Sequence, residues 1–363
     1  MKIYFIGGYF DSDNQGAPLL VSAGLFNSLR KNNITIKYLT YFIDGRKYSR
    51  FQKLFGKQIL DPDSLRLGII PLIMFVVRNR PDALYLLNIE SFYLPLLLLK
   101  YIFRYKVYYI SHGIASYENH YFRKIPFILK TKNSITEYLN FKISDKIISL
   151  SEKTARLISY CYKIDHNHIK VLDNGISTNV TVKKNISVFD PSSIKLAVIG
   201  STDRKEKGIG ALITSLVSFD MDIELNVYGE KTDLLRTDRY NKLNVNYFPF
   251  MEKKQLLCNL IENDIYIAPS SYDTFNLSLL EAMNLGMLII SSDRVGLTER
   301  FDENLMRFVY KHHSKDDLFH KLKMTLNLSP EERKYYSGLN HQFSLGFTWD
   351  KVSMQYLEIF SGK

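Results

Sequence analysis

The most informative segment of the sequence is Ala268-Pro269-Ser270-Ser271-Tyr272-Asp273-Thr274-Phe275-Asn276-Leu277-Ser278-Leu279-Leu280-Glu281-Ala282-Met283-Asn284-Leu285-Gly286. Its residue types predict the end of a buried strand, then a polar loop, then a helix. We expect Asp273 just before that helix and Glu281 about two turns into it. The start of a helix presents unpaired backbone N–H groups, here those of Phe275, Asn276 and Leu277, and these attract a phosphate or a sugar hydroxyl. An acid before a helix is by itself more often a simple cap.

Short apolar runs of strand character alternate with helical patterns along all 363 residues. This alternation is typical of parallel sheets with crossover helices, so the fold class is α/β. The length exceeds what one hydrophobic core usually supports, and we therefore expect two doubly wound, Rossmann-like domains. The predicted strands are Ile3–Gly7, Thr35–Leu39, Ala83–Leu87, Val107–Ser111, Lys146–Leu150, Ile169–Leu172, Lys195–Ile199, Ile223–Tyr228, Val245–Phe248, Asp264–Ala268, Met287–Ser291 and Arg307–Tyr310.

A polar, aperiodic stretch that contains Pro191 separates the two series of strands, and we interpret residues 178–193 as a linker. The predicted domains are residues 1–178 and residues 194–345, with a last helix in 346–363 that returns to the first domain. Doubly wound sheets bind ligands at the carboxyl ends of their strands. We therefore expect the ligand in a cleft between the two domains.

A second candidate segment lies at the start of the second domain. A glycine turn at Gly200 follows a predicted strand, and basic residues that include Arg204 and Lys207 come before Gly208 and a helix. The turn allows the backbone to approach a diphosphate, and the cations neutralise its charge. A basic loop by itself is more often only part of the surface.

Together these segments resemble the large family of retaining glycosyltransferases called family 4, whose fold, GT-B, consists of two facing Rossmann-like domains. The usual E-x7-E signature of that family is P-S-x-x-E-x-F-G-x-x-x-x-E-A-M-x-x-G. Two positions depart from the signature, because Asp273 replaces the first glutamate and Asn276 replaces a glycine. The matching residues are Pro269, Ser270, Phe275, Glu281, Ala282, Met283 and Gly286.

The resemblance implies roles for the matched residues. In the family the first acid lies beside the donor sugar and the second binds the ribose of the nucleotide, which assigns Asp273 and Glu281. Lys207-Gly208 match the end of the family's donor-phosphate loop. The usual arginine of that loop is a serine here, so the second phosphate contact is assigned to Arg204, with Lys205 as the alternative.

Two further matches lie in the first half. His112-Gly113 follow a predicted strand, at the point where the family places a histidine against the C6 region of the donor sugar. Gly16 belongs to a loop that resembles the family's glycine-containing loop near the donor phosphate. The predicted catalytic residues are His112, Asp273 and Lys207. The predicted donor-binding residues are Gly16, Arg204, Lys207, Phe275, Asn276, Leu277 and Glu281.

The implied function is retaining, metal-independent transfer of a hexose-type sugar from a UDP- or GDP-linked donor to a lipid-linked or glycan acceptor, in the synthesis of a surface polysaccharide. Residues 1–178 would bind the acceptor and residues 194–345 the donor, and no cofactor is expected besides that nucleotide-sugar. Two other classes stay open. A nucleotide-sugar epimerase of the same fold would need more acids and histidines near the sugar, and a non-catalytic protein could bind a polyanion.

The formal net charge of +11 is unevenly distributed. Residues 1–185 contain 27 Lys and Arg against 13 Asp and Glu, a net of +14, whereas the remainder has a net of −3. Basic residues lie near apolar ones over 46–70, from Arg46 and Phe51 to Ile70, and this pattern suits an anionic membrane surface. The alternative is that these apolar residues belong to the core and the basic ones are only solvated. The sequence shows no signal peptide and no apolar run long enough to span a bilayer. We expect a cytoplasmic protein, peripheral on the inner face of the membrane, with no nucleic acid partner.

Three Asp-x-Asp pairs, Asp11/Asp13, Asp61/Asp63 and Asp220/Asp222, have the spacing with which another glycosyltransferase fold binds a divalent metal. The last two fall in predicted turns or junctions, and we expect no metal site. Cys161 and Cys258 lie in apolar helical patterns and are expected to be buried thiols.

Overall fold

The computed structural model describes residues 1–8, 17–32, 34–42, 48–178, 193–230 and 235–361. Gly16 and the Asp11/Asp13 pair lie outside the described residues. Of the predicted linker, only residues 178 and 193 are described.

Backbone contacts divide the chain into two compact units. Unit 1 consists of residues 1–175 together with 349–363, and unit 2 consists of residues 176–348. Each unit contains one mostly parallel sheet with flanking helices. The predicted α/β class with two doubly wound sheets is confirmed.

Unit 1 has an eight-stranded sheet in the order β3-β4-β2-β1-β5-β6-β7-β8, in which only the β3–β4 pair is antiparallel. Its strands are β1 (Lys2–Ile6), β2 (Thr35–Tyr41), β3 (Lys57–Asp61), β4 (Ser64–Leu67), β5 (Ala83–Leu86), β6 (Lys106–Ser111), β7 (Lys146–Ser149) and β8 (Ile169–Val171). Its helices are α1 (Ala17–Leu29), α2 (Arg50–Phe55), α3 (Ile69–Asn79), α4 (Leu94–Phe103), α5 (Ala115–Tyr121), α6 (Phe127–Ile143), α7 (Glu152–Tyr162) and α14 (Trp349–Ser361).

Helices cover both faces of this sheet. On one face, α3, α4, α6 and α7 bury apolar side chains such as Leu72, Leu96 and Phe141 in one cluster with the strands. On the other face α1 and α14 contact each other, and Tyr356 of α14 packs against Tyr85 of β5. The sheet is therefore buried on both sides, as parallel sheets usually are.

Trp349 begins the last helix and is wedged against two glycines. A Cβ atom at Gly24 of α1 would lie 2.2 Å from the indole, and one at Gly175 would lie 2.5 Å from it. Any larger residue at these positions would displace the ring. The two glycines thus provide the space in which α14 joins unit 1.

Unit 2 has a seven-stranded sheet in the order β11-β12-β10-β9-β13-β14-β15, in which only the β11–β12 pair is antiparallel. Its strands are β9 (Ile194–Ile199), β10 (Ile223–Glu230), β11 (Arg236–Tyr240), β12 (Leu243–Pro249), β13 (Ile265–Ala268), β14 (Leu288–Ser292) and β15 (Val309–Tyr310). Its α-helices are α8 (Ile209–Leu216), α9 (Lys253–Leu260), α10 (Leu277–Asn284), α11 (Glu303–Met306), α12 (Lys315–Leu326) and α13 (Pro330–Ser344).

All twelve predicted strands are present, with ends that differ by one or two residues. Three strands, β3, β4 and β11, were not predicted. β3 and β11 are edge strands with mostly exposed side chains, so they lack the continuous apolar pattern of the central strands. The prediction of two buried thiols is wrong, because Cys161 and Cys258 are both exposed on the outer sides of α7 and α9.

The described Asp-x-Asp pairs take part in structural ion pairs. Asp63 binds Arg30 and Lys37 at 2.7 and 2.8 Å, and Asp220 binds Lys242 at 2.8 Å. Among the described helices, none combines the length and the apolar character that a membrane crossing requires.

Candidate functional site

The unit 2 sheet reverses its strand order between β9 and β13. From β9 the next strand along the chain, β10, lies on one side, whereas β13 lies on the other. The loops that leave β9 and β13 diverge from the same edge of the sheet, and this kind of switch point is where open α/β sheets bind ligands. Both segments singled out in the sequence are these two loops.

The loop after β9 is held in place by a glutamate from the neighbouring strand. Gly200 has a φ of +148°, a conformation that favours glycine, and it turns the chain out of β9. Glu230, at the end of β10, accepts a hydrogen bond from the backbone N–H of Thr202 at 2.5 Å and one from the Ser201 hydroxyl at 3.2 Å. The carboxylate therefore fixes the first turn of the loop.

The rest of this loop forms a short 3-10 helix, Lys205–Lys207. Arg204, just before it, forms an ion pair with Glu206 at 2.8 Å, and the Glu206 carboxylate is almost fully buried. The guanidinium of Arg204 is half exposed. Its assignment to a second phosphate contact stays a prediction, and in this structure Arg204 neutralises an acid of its own loop.

The loops after β9 and β13 lie in close contact through their backbones. Gly208 has a φ of +69°, and a Cβ atom there would lie 2.0 Å from the carbonyl oxygen of Pro269. The N–H of Ser271 donates to the carbonyl of Glu206 at 2.8 Å. Only glycine fits at position 208, both because of its backbone angle and because of this contact.

This contact brings Lys207 to Asp273. The ammonium of Lys207 lies 2.6 Å from Oδ2 of Asp273, with only 22% and 10% of the two side chains exposed. The other carboxylate oxygen of Asp273 accepts a hydrogen bond from the N–H of Phe275 at 3.2 Å. Two predicted catalytic residues, 66 positions apart in the sequence, thus form one charge-assisted hydrogen bond.

The backbone of Asp273 is also tied to the loop after β14. Asp273 and Val295 form a parallel β-bridge, and the N–H of Gly296 donates to the carbonyl of Asp273 at 2.9 Å. The Ser292 hydroxyl donates to the carbonyl of Ser270 at 2.6 Å. Three successive βα loops therefore determine the position of the Asp273 carboxylate.

Asn276 is the N-cap of α10. Its φ of +71° is in the left-handed region, where asparagine is one of the few residues besides glycine that is readily accommodated. Its side-chain oxygen accepts hydrogen bonds from the N–H of Leu279 at 2.9 Å and from the Ser278 hydroxyl at 3.0 Å. The replacement of the family's glycine by Asn276 therefore keeps the turn and adds a cap.

The first turn of α10 is partly satisfied by the protein itself. The N–H of Phe275 donates to Asp273, and that of Leu279 donates to Asn276. The expectation that Phe275 offers an unpaired N–H is therefore wrong for this conformation, because the Asp273 carboxylate takes it. The helix begins two residues after Phe275, at Leu277.

Glu281, the second acid of the signature, pairs with a different lysine. Its carboxylate contacts the ammonium of Lys253, at the first position of α9, and only 13% of the Glu281 side chain is exposed. The structure thus contains two lysine–carboxylate pairs on loops and helices that follow β9, β12 and β13. No sequence motif pointed to Lys253, since it lies 28 positions before its partner in an ordinary polar helix start.

His112 lies in unit 1, in the loop between β6 and α5. Burial lowers the pKa of its imidazole to about 4, so the ring is neutral at physiological pH. The Ser111 hydroxyl donates to the carbonyl of Gly113 at 2.8 Å and stabilises the turn. A neutral His112 can exchange hydrogen bonds with a sugar hydroxyl, and it does not supply a positive charge.

A fully buried carboxylate binds the start of α5, the helix that follows the His112 loop. Glu137 of α6 accepts hydrogen bonds from the N–H groups of Ala115 and Ser116, at 2.8 and 3.0 Å, and from the Tyr162 hydroxyl. These N–H groups begin α5, three residues after His112. Burial raises the pKa of Glu137, although these hydrogen bonds oppose the shift. Sequence reasoning missed this residue, because a lone acid on an amphipathic helix is normally exposed.

Among the described residues of the predicted site, His112 lies in unit 1 and the others lie in unit 2. Within unit 2, the structure brings together Lys207, Asp273 and the start of α10, while Arg204 and Glu281 are held by Glu206 and Lys253. Within the described part of the chain, no three His, Cys, Asp or Glu side chains gather as a metal site would require.

Parts of the chain are similar in sequence to known proteins. Residues 181–338, less than half of the chain, match the family model of glycosyl transferases group 1. An uncharacterized 41.2 kDa protein in the cps region of Klebsiella pneumoniae is 27% identical over 150 residues, which cover 39% of this chain and 41% of that protein. Glycogen synthase of Streptococcus agalactiae is 24% identical over 205 residues, 52% of this chain and 42% of that protein. These matches span less than half the length of either relative.

Solved structures are similar over the whole chain. Sucrose-phosphate synthase from Thermosynechococcus elongatus gives a TM-score of 0.75 at 12% identity, and the Anabaena protein HepE in complex with UDP and glucose gives 0.69 at 15% identity. Both comparisons cover 100% of this chain and 100% of the other. The chain therefore has the GT-B fold of these structures, and its similarity in sequence to glycosyl transferases group 1 is confined to residues 181–338.

Proposed function

We propose that the protein is a retaining glycosyltransferase that moves a hexose-type sugar from a UDP- or GDP-linked donor to a glycan or lipid-linked acceptor. The observation that carries this proposal is the pair formed by Lys207 and Asp273 at the switch point of the unit 2 sheet, 2.6 Å apart. When the bond between a sugar and a diphosphate breaks, positive charge develops on the sugar and negative charge on the phosphate. A carboxylate and a cation at the switch point complement these two charges.

Lys207 would stabilise the leaving group. Departure of a nucleoside diphosphate develops negative charge on its β-phosphate, and a donor already in place lowers the barrier to that step. An ammonium has three N–H donors, of which the structure uses one for Asp273. Lys207 can therefore keep its bond to Asp273 and still donate to a phosphate, while the start of α10 adds its favourable field.

Asp273 would act on the sugar. The bond from the anomeric carbon to the phosphate oxygen breaks as the acceptor oxygen bonds the same face of that carbon, and the acceptor's proton moves to the leaving phosphate. The anomeric carbon gains positive charge during this exchange, and a nearby carboxylate stabilises it. This route retains the configuration and needs no protein nucleophile. It also needs no metal, because Lys207 supplies the positive charge at the phosphate.

The remaining assignments follow the resemblance. Glu281 binds the ribose, with Lys253 holding the carboxylate in position, and neutral His112 exchanges hydrogen bonds with the donor sugar. Gly16 and Arg204 remain assigned to the phosphates, and the N–H groups of Asn276 and Leu277 to the donor.

The comparisons support the substrate classes. HepE was crystallised with UDP and glucose, and this supports a UDP-linked hexose as donor. The Klebsiella relative is named for its place in a cps region, which supports a surface polysaccharide or its lipid-linked precursor as the acceptor. We propose accordingly that the protein works at the inner face of the cell membrane.

Release of nucleoside diphosphate tests the proposal. The full chain is incubated with UDP-, GDP- and ADP-linked hexoses, with and without a mixture of lipid-linked and glycan acceptors, and nucleoside diphosphate is measured. We expect release from one donor class, faster with an acceptor, unchanged by excess EDTA, and a product with the donor's anomeric configuration. An epimerised free nucleotide-sugar would favour the epimerase, and no reaction with any donor would favour a binding protein. Activity lost in EDTA and restored by Mn²⁺ would contradict the metal-independent mechanism.

A further inference from the structure

Large apolar side chains are exposed far more often in unit 1 than in unit 2. Of 24 such residues among the described parts of the chain, 18 belong to unit 1 and 6 to unit 2. Thirteen of the 18 lie on just four helices, α2, α3, α4 and α6. Single exposed apolar residues are ordinary, but a concentration of them on one side of a domain indicates an interaction surface.

The four helices form one layer. α2 contacts α3, α3 contacts α4, and α4 contacts α6. Their inner sides include Leu72, Leu97 and Phe141 of the buried cluster, so the remaining apolar side chains point outward. We call this outward side, on α2, α3, α4 and α6, the helical face. Its most exposed members are Phe127 and Ile128, each 81% exposed, at the first turn of α6.

The charges on the helical face are of one sign. The four helices contain seven Lys and Arg, of which Lys100 is nearly buried in an ion pair with Asp145, and a single acid, Glu137. Glu137 is fully buried and bound to the start of α5, so it does not contribute a charge to the surface. Lys130 and Lys132 lie within about one turn of Phe127 and Ile128. Lys124 and Arg123 come just before them, and Arg123 is paired with Glu118.

We propose that the helical face docks on the surface of a bilayer that contains anionic lipids, with the start of α6 inserted into the headgroup region. Exposed aromatic and aliphatic side chains flanked by lysines suit shallow insertion, because the apolar groups enter the acyl boundary while the ammonium groups meet lipid phosphates. This deepens the proposed function, because it names the surface that would bring the enzyme to a lipid-linked acceptor. It does not depend on sugar transfer.

Two other occupants fit the face less well. A second copy of the chain would bring two basic faces together, and like charges repel. A nucleic acid would use the lysines and could stack on Tyr101 or Phe127, but Ile128, Leu129 and Ile102 offer it nothing that base or phosphate recognition needs.

The segment at 46–70, which the sequence suggested as the membrane contact, contributes only in part. Phe51 and Phe55 of α2 are exposed and belong to the helical face. Leu67 is buried in the apolar cluster and Leu65 packs against it, so neither can reach a membrane. Arg46 and Lys47 lie outside the described residues.

Vesicle sedimentation tests the proposal on the full chain. The vesicles are made of phosphatidylcholine alone, or of equal parts of phosphatidylcholine and phosphatidylglycerol. We expect binding to the second kind and not to the first, with release by added salt, because salt screens the attraction. Lys130→Glu with Lys132→Glu should lower the partition coefficient at least about 25-fold, since each lysine near an anionic surface contributes roughly a factor of five.

A second variant removes the apolar contact and keeps the charge. Phe127→Ser with Ile128→Ser should lower binding about tenfold or more, because the apolar area no longer leaves water. Both side chains are so exposed that folding should not suffer, and circular dichroism checks this. The matched controls are Phe250→Ser, at a residue 64% exposed in unit 2, and Lys315→Glu with Lys334→Glu, two exposed lysines of unit 2. They should bind as the unmodified chain does.

Each other outcome overturns the proposal. Equal binding by the four variants and the unmodified chain would remove the helical face from membrane contact, as would absence from the anionic vesicle pellet at low salt. A concentration-dependent dimer without vesicles, broken by the Phe127 and Ile128 changes, would assign the face to a second copy. Binding of single-stranded RNA that anionic vesicles do not displace would assign it to nucleic acid. Release of nucleoside diphosphate from a soluble donor is independent of all of these results and tests the proposed function separately.

Discussion

Asp273 in unit 2 and Glu137 in unit 1 are both carboxylates that shape a loop after a parallel strand, but their partners differ in kind. Asp273 bonds to an ammonium at 2.6 Å, and Glu281 of the same unit also meets a lysine. Glu137 is fully buried and accepts hydrogen bonds from two backbone N–H groups and a tyrosine hydroxyl, and burial raises its pKa although these bonds oppose the shift.

The difference indicates different tasks. A part-buried lysine–carboxylate pair can admit a charged ligand, because the lysine keeps further donors and the carboxylate keeps further acceptors. A buried carboxylate held by neutral donors has no exchangeable partner and acts as a fixed support. We infer that unit 2 carries the charges that change partners during the reaction, and that unit 1 carries the support of the His112 loop.

The largest effect is expected from the loss of a pair member in unit 2. Lys207→Ala should lower turnover by about 10²–10³, or roughly 3–4 kcal/mol, since a charged donor to the leaving phosphate is removed. The unfolding temperature should also fall, because the Asp273 carboxylate, with 10% of its side chain exposed, loses its ammonium partner, and circular dichroism shows whether the variant is folded at the assay temperature. Lys315→Ala, at an exposed lysine of α12 in the same unit, is the matched control and should retain activity. Full activity of Lys207→Ala would remove the lysine from the site.

The backbone contact beneath that pair gives the next effect. Gly208→Ala should lower the free energy of unfolding by about 2–4 kcal/mol, because the new methyl group strains a left-handed backbone and meets the carbonyl of Pro269. Gly210→Ala, two positions away, has no atom within 4 Å of the new Cβ and should be neutral or stabilising by roughly 0.5–1 kcal/mol. Urea unfolding measures both, and equal stabilities would show that the two loops can separate freely.

Glu137→Gln tests the support in unit 1. The amide accepts at one oxygen only, so an N–H of Ala115 or Ser116 would face an NH₂ donor, at a cost of about 1–3 kcal/mol. Because the folded pKa of Glu137 is raised, the folded chain binds its proton more tightly, and stability falls as pH rises from the unfolded pKa through the folded one. The stability of the glutamine variant should not fall with rising pH in this way.

The difference between wild type and Glu137→Gln should therefore be largest at acid pH and smaller at neutral pH. Urea unfolding at several pH values measures it, with Glu358→Gln, at an exposed acid of α14, as control. A constant difference across pH would mean that the pKa of Glu137 is the same in the folded and the unfolded chain, and that the two kinds of carboxylate do not differ as described.

The smallest effect separates the two acids of unit 2. Glu281→Ala should weaken binding of the nucleoside diphosphate about tenfold, or roughly 1.4 kcal/mol, because a ribose contact is lost. Asp273→Ala should leave that affinity nearly unchanged and chiefly lower turnover. Calorimetric titration with UDP and GDP distinguishes them. Unaltered affinity in Glu281→Ala would contradict the ribose assignment.

Much of the fold could be predicted because each central strand is a short apolar run before a polar loop. Lys207 and Asp273 were both assigned to the site, but their contact was not predicted, because it depends on β9 and β13 being neighbours in the sheet. The Glu281–Lys253 pair could not be predicted, because it depends on how α9 and α10 lie in space and not on a local pattern. No sequence pattern pointed to the exposure of Phe127 and Ile128, since an apolar helix turn is normally buried, and only the packing of α6 shows that its first turn projects outward.

Trp349 can serve as a fluorescent probe of the last helix. It is the single tryptophan of the chain, and it sits between Gly24 and Gly175 within unit 1. An indole that passes from a packed setting into water shifts its emission towards longer wavelengths. Tryptophan fluorescence, excited where tyrosine does not absorb, therefore follows the attachment of the last helix without any label, whereas unit 2 contains no tryptophan and is silent in that signal. A stopped-flow unfolding trace would time the detachment of the C-terminal segment, and its comparison with circular dichroism would show whether unit 2 unfolds in the same step.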